Sequence, residues 1–292
     1  MAVVNTNVNA SVAQNALVRN DRSMNTAMER LSTGQRINSA ADDAAGLAIA
    51  SRMTSQIRGL DVGIRNANDA MSMISTADGA LVEVSNMLQR MRELALQSAN
   101  GTTTSADRQY LSSEYVNLMT EIERIAQNTQ WNGGDILDGT ANGTSGTVVF
   151  QVGANGGQSV SVNFGNLGSA TVAATGSGMV GAVHSAAATL SSNTAASAVT
   201  KGTSAVTAID LAITEVNSQR ATFGAAVNQL TYAVDNLANV KVNAEASRSR
   251  ILDTDYAQET SELARTQIIQ QAGTAMLAQA NQLPQTVLSL LQ

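Results

Sequence analysis

No cysteine occurs in these 292 residues, which rules out disulfides, thiolate metal sites and cysteine nucleophiles. Proline occurs once, as Pro284, so long stretches are free to run as uninterrupted helix. Aromatic residues are only 3 % of the chain, although cores of this size usually draw much of their buried area from them. The apolar 43 % is mainly Ala, Val, Leu, Ile and Met, which suits helix-on-helix packing. Lys and Arg are few and scattered under a formal charge of −6, so the basic footprint of a nucleic-acid binder is missing. The segment Met1–Ala10 has neither a charged n-region nor an apolar h-region, and it does not read as a cleavable secretory signal. The longest uncharged terminal stretch, Thr266 to Gln292, is broken throughout by Gln, Asn and Ser and does not read as a membrane span.

What is present is helical periodicity at both ends. From about Asp43, apolar residues fall at Ile57, Leu60, Ile64, Ala67, Met71, Ile74, Ala77, Leu81, Val84, Leu88, Met91 and Ala95. The steps alternate three and four with one slip at Ala77, a heptad seam for a helix of about 55 residues and roughly 80 Å. Asn100-Gly101 ends it, and Thr104-Ser-Ala-Asp107 predicts a capping box for a second helix through Leu111, Tyr115, Leu118, Ile122 and Ile125. A further seam runs Val206, Ile209, Ile213, Val216, Phe223, Val227, Leu230, Val234 and Leu237, with Arg220 in the slot between Val216 and Phe223. An arginine there requires a carboxylate or carbonyl partner and acts on register more than on stability. A last helix from about Asp255 carries Ile269, Ala272, Met276, Ala280, Leu283, Val287 and Leu290, with no charge beyond Arg265. Such a stripe predicts ordering by packing against other copies or a partner.

The middle is different. Between Asp138 and Asp210 there is no acidic residue, and Lys201 is the one basic residue besides neutral His184. Thr147–Val152 and Ser159–Phe164, joined through Asn155-Gly-Gly157, predict a β-hairpin; the rest is rich in Gly, Ala, Ser and Thr. The expected class is therefore mainly α: long helices with coiled-coil-like seams near both ends of the chain, and a small β-hairpin insert.

Chemical motifs fare poorly. Gly176-Ser-Gly178-Met-Val-Gly181 matches a dinucleotide fingerprint in letters, but no acid follows before Asp210 to hold a ribose. His184 has no nearby acid or nucleophile elbow to make a triad. Asp42-Asp43 lies at a predicted helix start, where carboxylates complement the helix dipole. The methionines at Met71, Met87, Met91, Met119 and Met276 fall on or near seams and read as packing. No catalytic, metal or cofactor site is expected.

Three blocks carry a resemblance. Leu31-Ser-Thr-Gly-Gln-Arg-Ile-Asn-Ser-Ala-Ala-Asp-Asp-Ala-Ala-Gly-Leu-Ala-Ile-Ala-Ser-Arg-Met53, Leu88-Gln-Arg-Met-Arg-Glu-Leu-Ala-Leu-Gln-Ser-Ala-Asn100 and Gln270–Gln292 resemble bacterial flagellin, in the family's order. Smaller matches are Gln130-Trp-Asn-Gly133 and Phe150-Gln-Val-Gly-Ala-Asn155, and the likeness covers about 1–165 and 205–292. The resemblance implies a short flagellin, a secreted structural subunit polymerising into the filament used for swimming. It implies long antiparallel helices in coiled-coil-like bundles built from paired N- and C-terminal segments: an inner-tube helical pair from 1–44 and 255–292, and an outer-tube bundle from 45–180 and 181–254 with the β-hairpin near 147–164. Segment 166–204 would be a short variable surface, with Ser/Thr hydroxyls open to O-glycosylation. Packing between subunits would draw on Leu31, Ile57, Ile64, Met71, Leu81, Leu88, Leu230, Leu237, Ile269, Met276, Leu283, Val287 and Leu290. Implied partners are further copies, an export chaperone at the C-terminal helix, hook-associated junction and cap proteins, and a host Toll-like receptor contacting Arg90, Leu94 and Glu114. A hook–filament junction protein or a minor flagellin is the alternative.

Overall fold

The computed structural model describes residues 7–141, 146–167, 183 and 195–290, with side chains at 195–198 and 283–290 excepted. Most of 166–204, including His184 and the Gly176–Gly181 motif, lies outside the described residues. Five helices dominate: α1 (Val8–Thr33), α2 (Ala44–Ala99), α3 (Ser105–Asn128), α4 (Ala195–Leu252) and α5 (Tyr256–Leu290). The strands are β1 (Gln130–Trp131), β2 (Gly134–Asp135), β3 (Thr147–Gln151) and β4 (Ser159–Asn163). The mainly α class with a hairpin insert is as expected.

The chain forms two compact units, one of Met1–Ile57 with Val242–Gln292, the other Arg58–Lys241. In the second, the buried face of α2 steps Leu60, Gly63, Ala67, Ala70, Ile74, Ala77, Leu81, Val84, Leu88, Met91 and Ala95. That is an unbroken alternation of three and four. The slip expected at Ala77 does not exist: Ile64 and Met71 are half-buried flanks, and the seam passes through the smaller Gly63 and Ala70. A Cβ on Gly63 would stand 2.6 Å from the Val152 carbonyl oxygen, so only glycine admits the backbone that follows β3.

The same substitution of small for large recurs in α4. Its buried residues are Ala205, Ile209, Ala212, Val216, Phe223, Ala226 and Leu230, with Val206, Ile213 and Val227 only packed against them. Gln219 therefore takes the slot assigned to Arg220, and its Nε2 donates to the Asn163 carbonyl at 2.6 Å. Arg220 lies to the side, 37 % exposed, with Nε donating to Asp78 Oδ1 at 2.8 Å. The arginine has the carboxylate it required, but outside the seam. Two more pairs, Lys241–Asp61 at 2.7 Å and Arg92–Asp210 at 2.6 Å, align α4 antiparallel on α2.

α3 starts with the expected capping box: Asp107 N–H donates to Thr104 Oγ1 at 3.2 Å, and Thr104 N–H donates to Asp107 Oδ2 at 3.1 Å. Its buried face is Arg108, Ser112, Tyr115, Met119, Ile122 and Ala126. The Tyr115 hydroxyl, whose pKa burial pushes up, donates to the Val183 carbonyl at 3.2 Å. β3 and β4 pair antiparallel, Thr147 opposite Asn163 and Phe150 opposite Val160. Val160, Val162 and then Phe164 enter the core, and the Phe164 ring meets Phe223 at 5.3 Å. The β1–β2 hairpin turns on Asn132-Gly133, both with positive φ, the pair that type I′ turns demand.

Candidate assembly surface

The first unit is built on α1 and α5. The half-buried and buried positions of α1 include Ala10, Ala13, Leu17, Asn20, Met24, Ala27 and Leu31. Those of α5 include Glu259, Leu263, Thr266, Gln270, Gly273, Leu277 and Ala280. Both run in heptad steps, and the contacts set them antiparallel. Asn7 Nδ2 donates to the Ala280 carbonyl at 2.8 Å, Asn20 Nδ2 to the Thr266 carbonyl at 2.8 Å, and Arg30 Nη1 to Glu259 Oε1 at 3.1 Å. A side chain at Gly273 would collide with Leu17, so the helices meet closely there.

Local chemistry fixes the ends of these helices. Gly34, with φ at 69°, caps α1 by donating to the Arg30 carbonyl at 2.9 Å. Arg36 N–H then bonds the Leu252 carbonyl, and Thr254 N–H the Gly34 carbonyl, laying the two connectors side by side. Asp43 Oδ1 accepts from Gly46 N–H at 2.8 Å at the start of α2, and Asp255 Oδ1 from Ala257 N–H at 2.9 Å at the start of α5. Asp42 serves the loop instead: it accepts from Ser39 N–H, Ser39 Oγ and Asn38 N–H, and the backbone bond from Ser39 foremost lowers its pKa. Each of these aspartates has a structural task.

The intramolecular face of α5 is thus mixed, with polar Glu259, Thr266 and Gln270 among Leu263, Gly273, Leu277 and Ala280. Other large apolar side chains lie off that face. Ile268 is 66 % exposed, Ile269 44 % and Met276 68 %. Ile269 and Met276 each stand one position, about 100°, before a residue of the α1-facing seam. An amphipathic helix ordinarily buries its apolar stripe against its own core. Here the chain leaves that stripe to solvent, while Val8, Val12, Val18 and Met28 do the same on α1. These apolar side chains are left uncovered by packing within the unit.

The positions expected to pack between subunits divide accordingly. Ile269 and Met276 are exposed, and Leu31, Ile64, Met71 and Leu237 are half-buried. Ile57, Leu81, Leu88 and Leu230 are buried within one chain, so they hold the subunit itself together. The side chains of Leu283, Val287 and Leu290 lie outside the described residues, although α5 extends to Leu290. The polar seam residues Asn20, Thr266 and Gln270 escaped the sequence reading, which searched for apolar periodicity. The heptad spacing of Ala10, Ala13, Leu17, Met24 and Ala27 around Asn20 was the signal available.

On the second unit Arg90 bridges α2 and α3. Its Nη2 and Nε donate to Glu114 Oε1 at 2.9 and 3.0 Å, and its Nη1 donates to Glu93 Oε2 at 2.9 Å. Both Arg90 and Glu114 are exposed. Leu94, grouped with them in the sequence reading, is 2 % exposed and belongs to the core. Among the described residues no group of His, Cys, Asp and Glu is placed to hold a metal, and no helix is long and apolar enough to cross a membrane.

Residues 4–142 match the bacterial flagellin N-terminal helical region, and residues 206–291 match the bacterial flagellin C-terminal helical region. A flagellin of Halalkalibacterium halodurans is 43 % identical, covering 99 % of this chain and 100 % of that one. Flagellin A of Vibrio cholerae is 36 % identical, with 99 % of each chain covered. The crystal structure of Bacillus cereus flagellin, 33 % identical, superposes with a TM-score of 0.46 over 59 % of this chain and 88 % of that one.

Proposed function

Because the chain belongs to the bacterial flagellin family, a structural and non-enzymatic family whose members self-polymerise in the extracellular flagellar filament, we propose that it polymerises through the uncovered apolar surface of α1 and α5. One observation carries this reading. α5 turns Leu263, Thr266, Gln270 and Leu277 to its own α1 and still presents Ile268, Ile269 and Met276 outward. Burying such a stripe against a neighbouring copy yields roughly 25 cal/mol per Å² of apolar surface, before the entropic cost of association.

In this reading residues 1–44 with 255–292 make the inner tube. Residues 45–180 with 181–254 make the outer one. Before assembly the same C-terminal helix is held by an export chaperone, which requires the apolar stripe that later meets other copies. Hook-associated junction and cap proteins meet the ends of the polymer. Arg90 and Glu114 offer a host Toll-like receptor an exposed charged pair, whereas Leu94, 2 % exposed, is not presented with them.

Negative-stain electron microscopy of the purified chain, before and after ammonium sulfate or short filament seeds, tests the proposal. Long uniform tubes from the unaltered chain, lost in Ile269→Glu while the monomer keeps its helix content, are expected. Tubes of normal length from Ile269→Glu overturn it. Unaltered chains that only cap seeds would point instead to a junction role or a minor flagellin.

A further inference from the structure

With no cysteine in the chain, its sulfur redox chemistry is that of eleven methionines. The fold protects them very unequally. Met73, Met91 and Met119 are buried in the second unit, and Met24, Met53, Met71 and Met87 are half-covered. The Met71 thioether also accepts a hydrogen bond from Thr231 Oγ1. Met28 is 44 % exposed and Met276 68 %, the most accessible methionine among the described residues. Met276 also lies on the outward stripe with Ile269, where no contact with α1 shields it.

We propose that Met276 is an oxidation site controlling assembly: peroxide converts its thioether to the sulfoxide in the free monomer and thereby blocks addition to the filament. The inference rests on the assembly reading above. In the reaction the sulfur lone pair attacks one oxygen of hydrogen peroxide. The S–O bond forms as the O–O bond breaks, and the departing hydroxide takes up the proton and leaves as water. Sulfur is oxidised by two electrons and the peroxide is reduced by two. The product is a polar, chiral group in place of a flexible apolar one. On this stripe that change puts a strong hydrogen-bond acceptor where a neighbouring apolar surface must close, and a buried acceptor without a donor is costly. Once polymerised, the same closure excludes the oxidant. Sensitivity is therefore confined to chains not yet assembled, and a methionine sulfoxide reductase reverses it.

The test treats full-length monomer and preformed filaments with hydrogen peroxide, maps a 16-dalton gain residue by residue by mass spectrometry, and measures seeded elongation. Met276 should oxidise first in the monomer and be protected in filaments. Treated monomer should elongate about tenfold more slowly or worse, and treated Met276→Leu should elongate like its untreated form. Equal oxidation of Met276 in monomer and filament overturns the inference. So does undiminished elongation of the oxidised chain, or equal sensitivity of Met276→Leu. Failure of the untreated chain to elongate would sink the assembly reading together with this one, which separates the two.

Discussion

Asn20 of α1 donates its side-chain amide to Gln270 Oε1 on α5 at 3.1 Å, and from the same nitrogen to the Thr266 carbonyl at 2.8 Å. It does so from a buried slot of an otherwise small apolar seam. A polar residue at one such position costs stability and specifies register, because any slip would leave its amide unpaired. Asn20→Leu should accordingly hold or raise the thermal midpoint of the monomer while producing shorter or irregular filaments. A variant with ordinary filaments would show that register is set elsewhere along the pair.

The seam of α2 gives a sharper contrast. If Gly63 and Ala70 define it, Gly63→Ala and Ala70→Leu should each cost about 1–3 kcal/mol, since both force a well-packed site to open. Met71→Ala removes far more atoms but from a half-covered flank, so it should cost no more than either. Chemical denaturation of the three variants checks the order. A Met71→Ala penalty well above both would restore Met71 to the seam.

That contrast also explains what was legible in the sequence. The long α2, the capping box at Thr104 and the β3–β4 hairpin rest on signals spread over many residues or on specific caps and are legible, whereas the pairing of terminal segments comes from the resemblance, and the start of α4 at Ala195 lies in a Gly/Ala/Ser/Thr-rich stretch that reads as loop. In α2 and α4 the expected face lies one position off in places, toward the bulkier neighbour: Ile64 for Gly63, Met71 for Ala70, Val206 for Ala205, Ile213 for Ala212, Val227 for Ala226. Hydrophobic size marks the core residue in a loose packing, but closely approached helices fill their contact line with Gly and Ala and let larger residues close the sides. For the assembly surface the apolar stripe was visible. Its partner-free state is not, because that depends on which face of α5, the one with Leu263, Thr266, Gln270 and Leu277, turns to α1.

Acid should loosen the second unit at a defined place. Hydrogen bonds from Thr104, the side chain first and then the backbone, hold the Asp107 carboxyl below its ordinary value of 3.8. A pKa depressed by folding contributes stability that is complete above the unfolded value and is lost as pH falls through the folded one. The α3 cap should therefore be intact at pH 6 and weaken progressively below about pH 4. Asp107→Ala should lose stability at pH 6 but show a flatter acid limb than the unaltered chain. Parallel acid limbs in melts at matched ionic strength would remove Asp107 from the account.

Arg90 and Glu114 can be tested apart from folding. Both are about half exposed, and exposed ion pairs of this kind contribute little to stability. Arg90→Ala and Glu114→Ala should therefore leave the monomer folded, with nearly unchanged melting. If a host Toll-like receptor contacts them, dose-matched reporter signalling by either variant should fall several-fold. Unchanged signalling by both ends that proposal without touching the assembly reading.

The end of α5 sets the last prediction. From Thr266 to Gln292 there is no charge, and Leu283, Val287 and Leu290 continue the spacing of Ile269 and Met276. Deleting Leu283–Gln292 removes that continuation but leaves the Asn20, Arg30 and Asn7 contacts to α5, which end at Ala280. The truncated chain should remain a folded monomer whose second unit, Arg58–Lys241, melts as before, because that unit shares no residue with the deletion. It should add to seeds at least about tenfold more slowly, since the lost apolar side chains are worth more than 1.4 kcal/mol when buried. Light scattering with seeded elongation reads the first consequence and calorimetry the second. Normal elongation by the truncated chain would mean that the stripe needed for assembly ends at Met276, and that the final ten residues serve another partner.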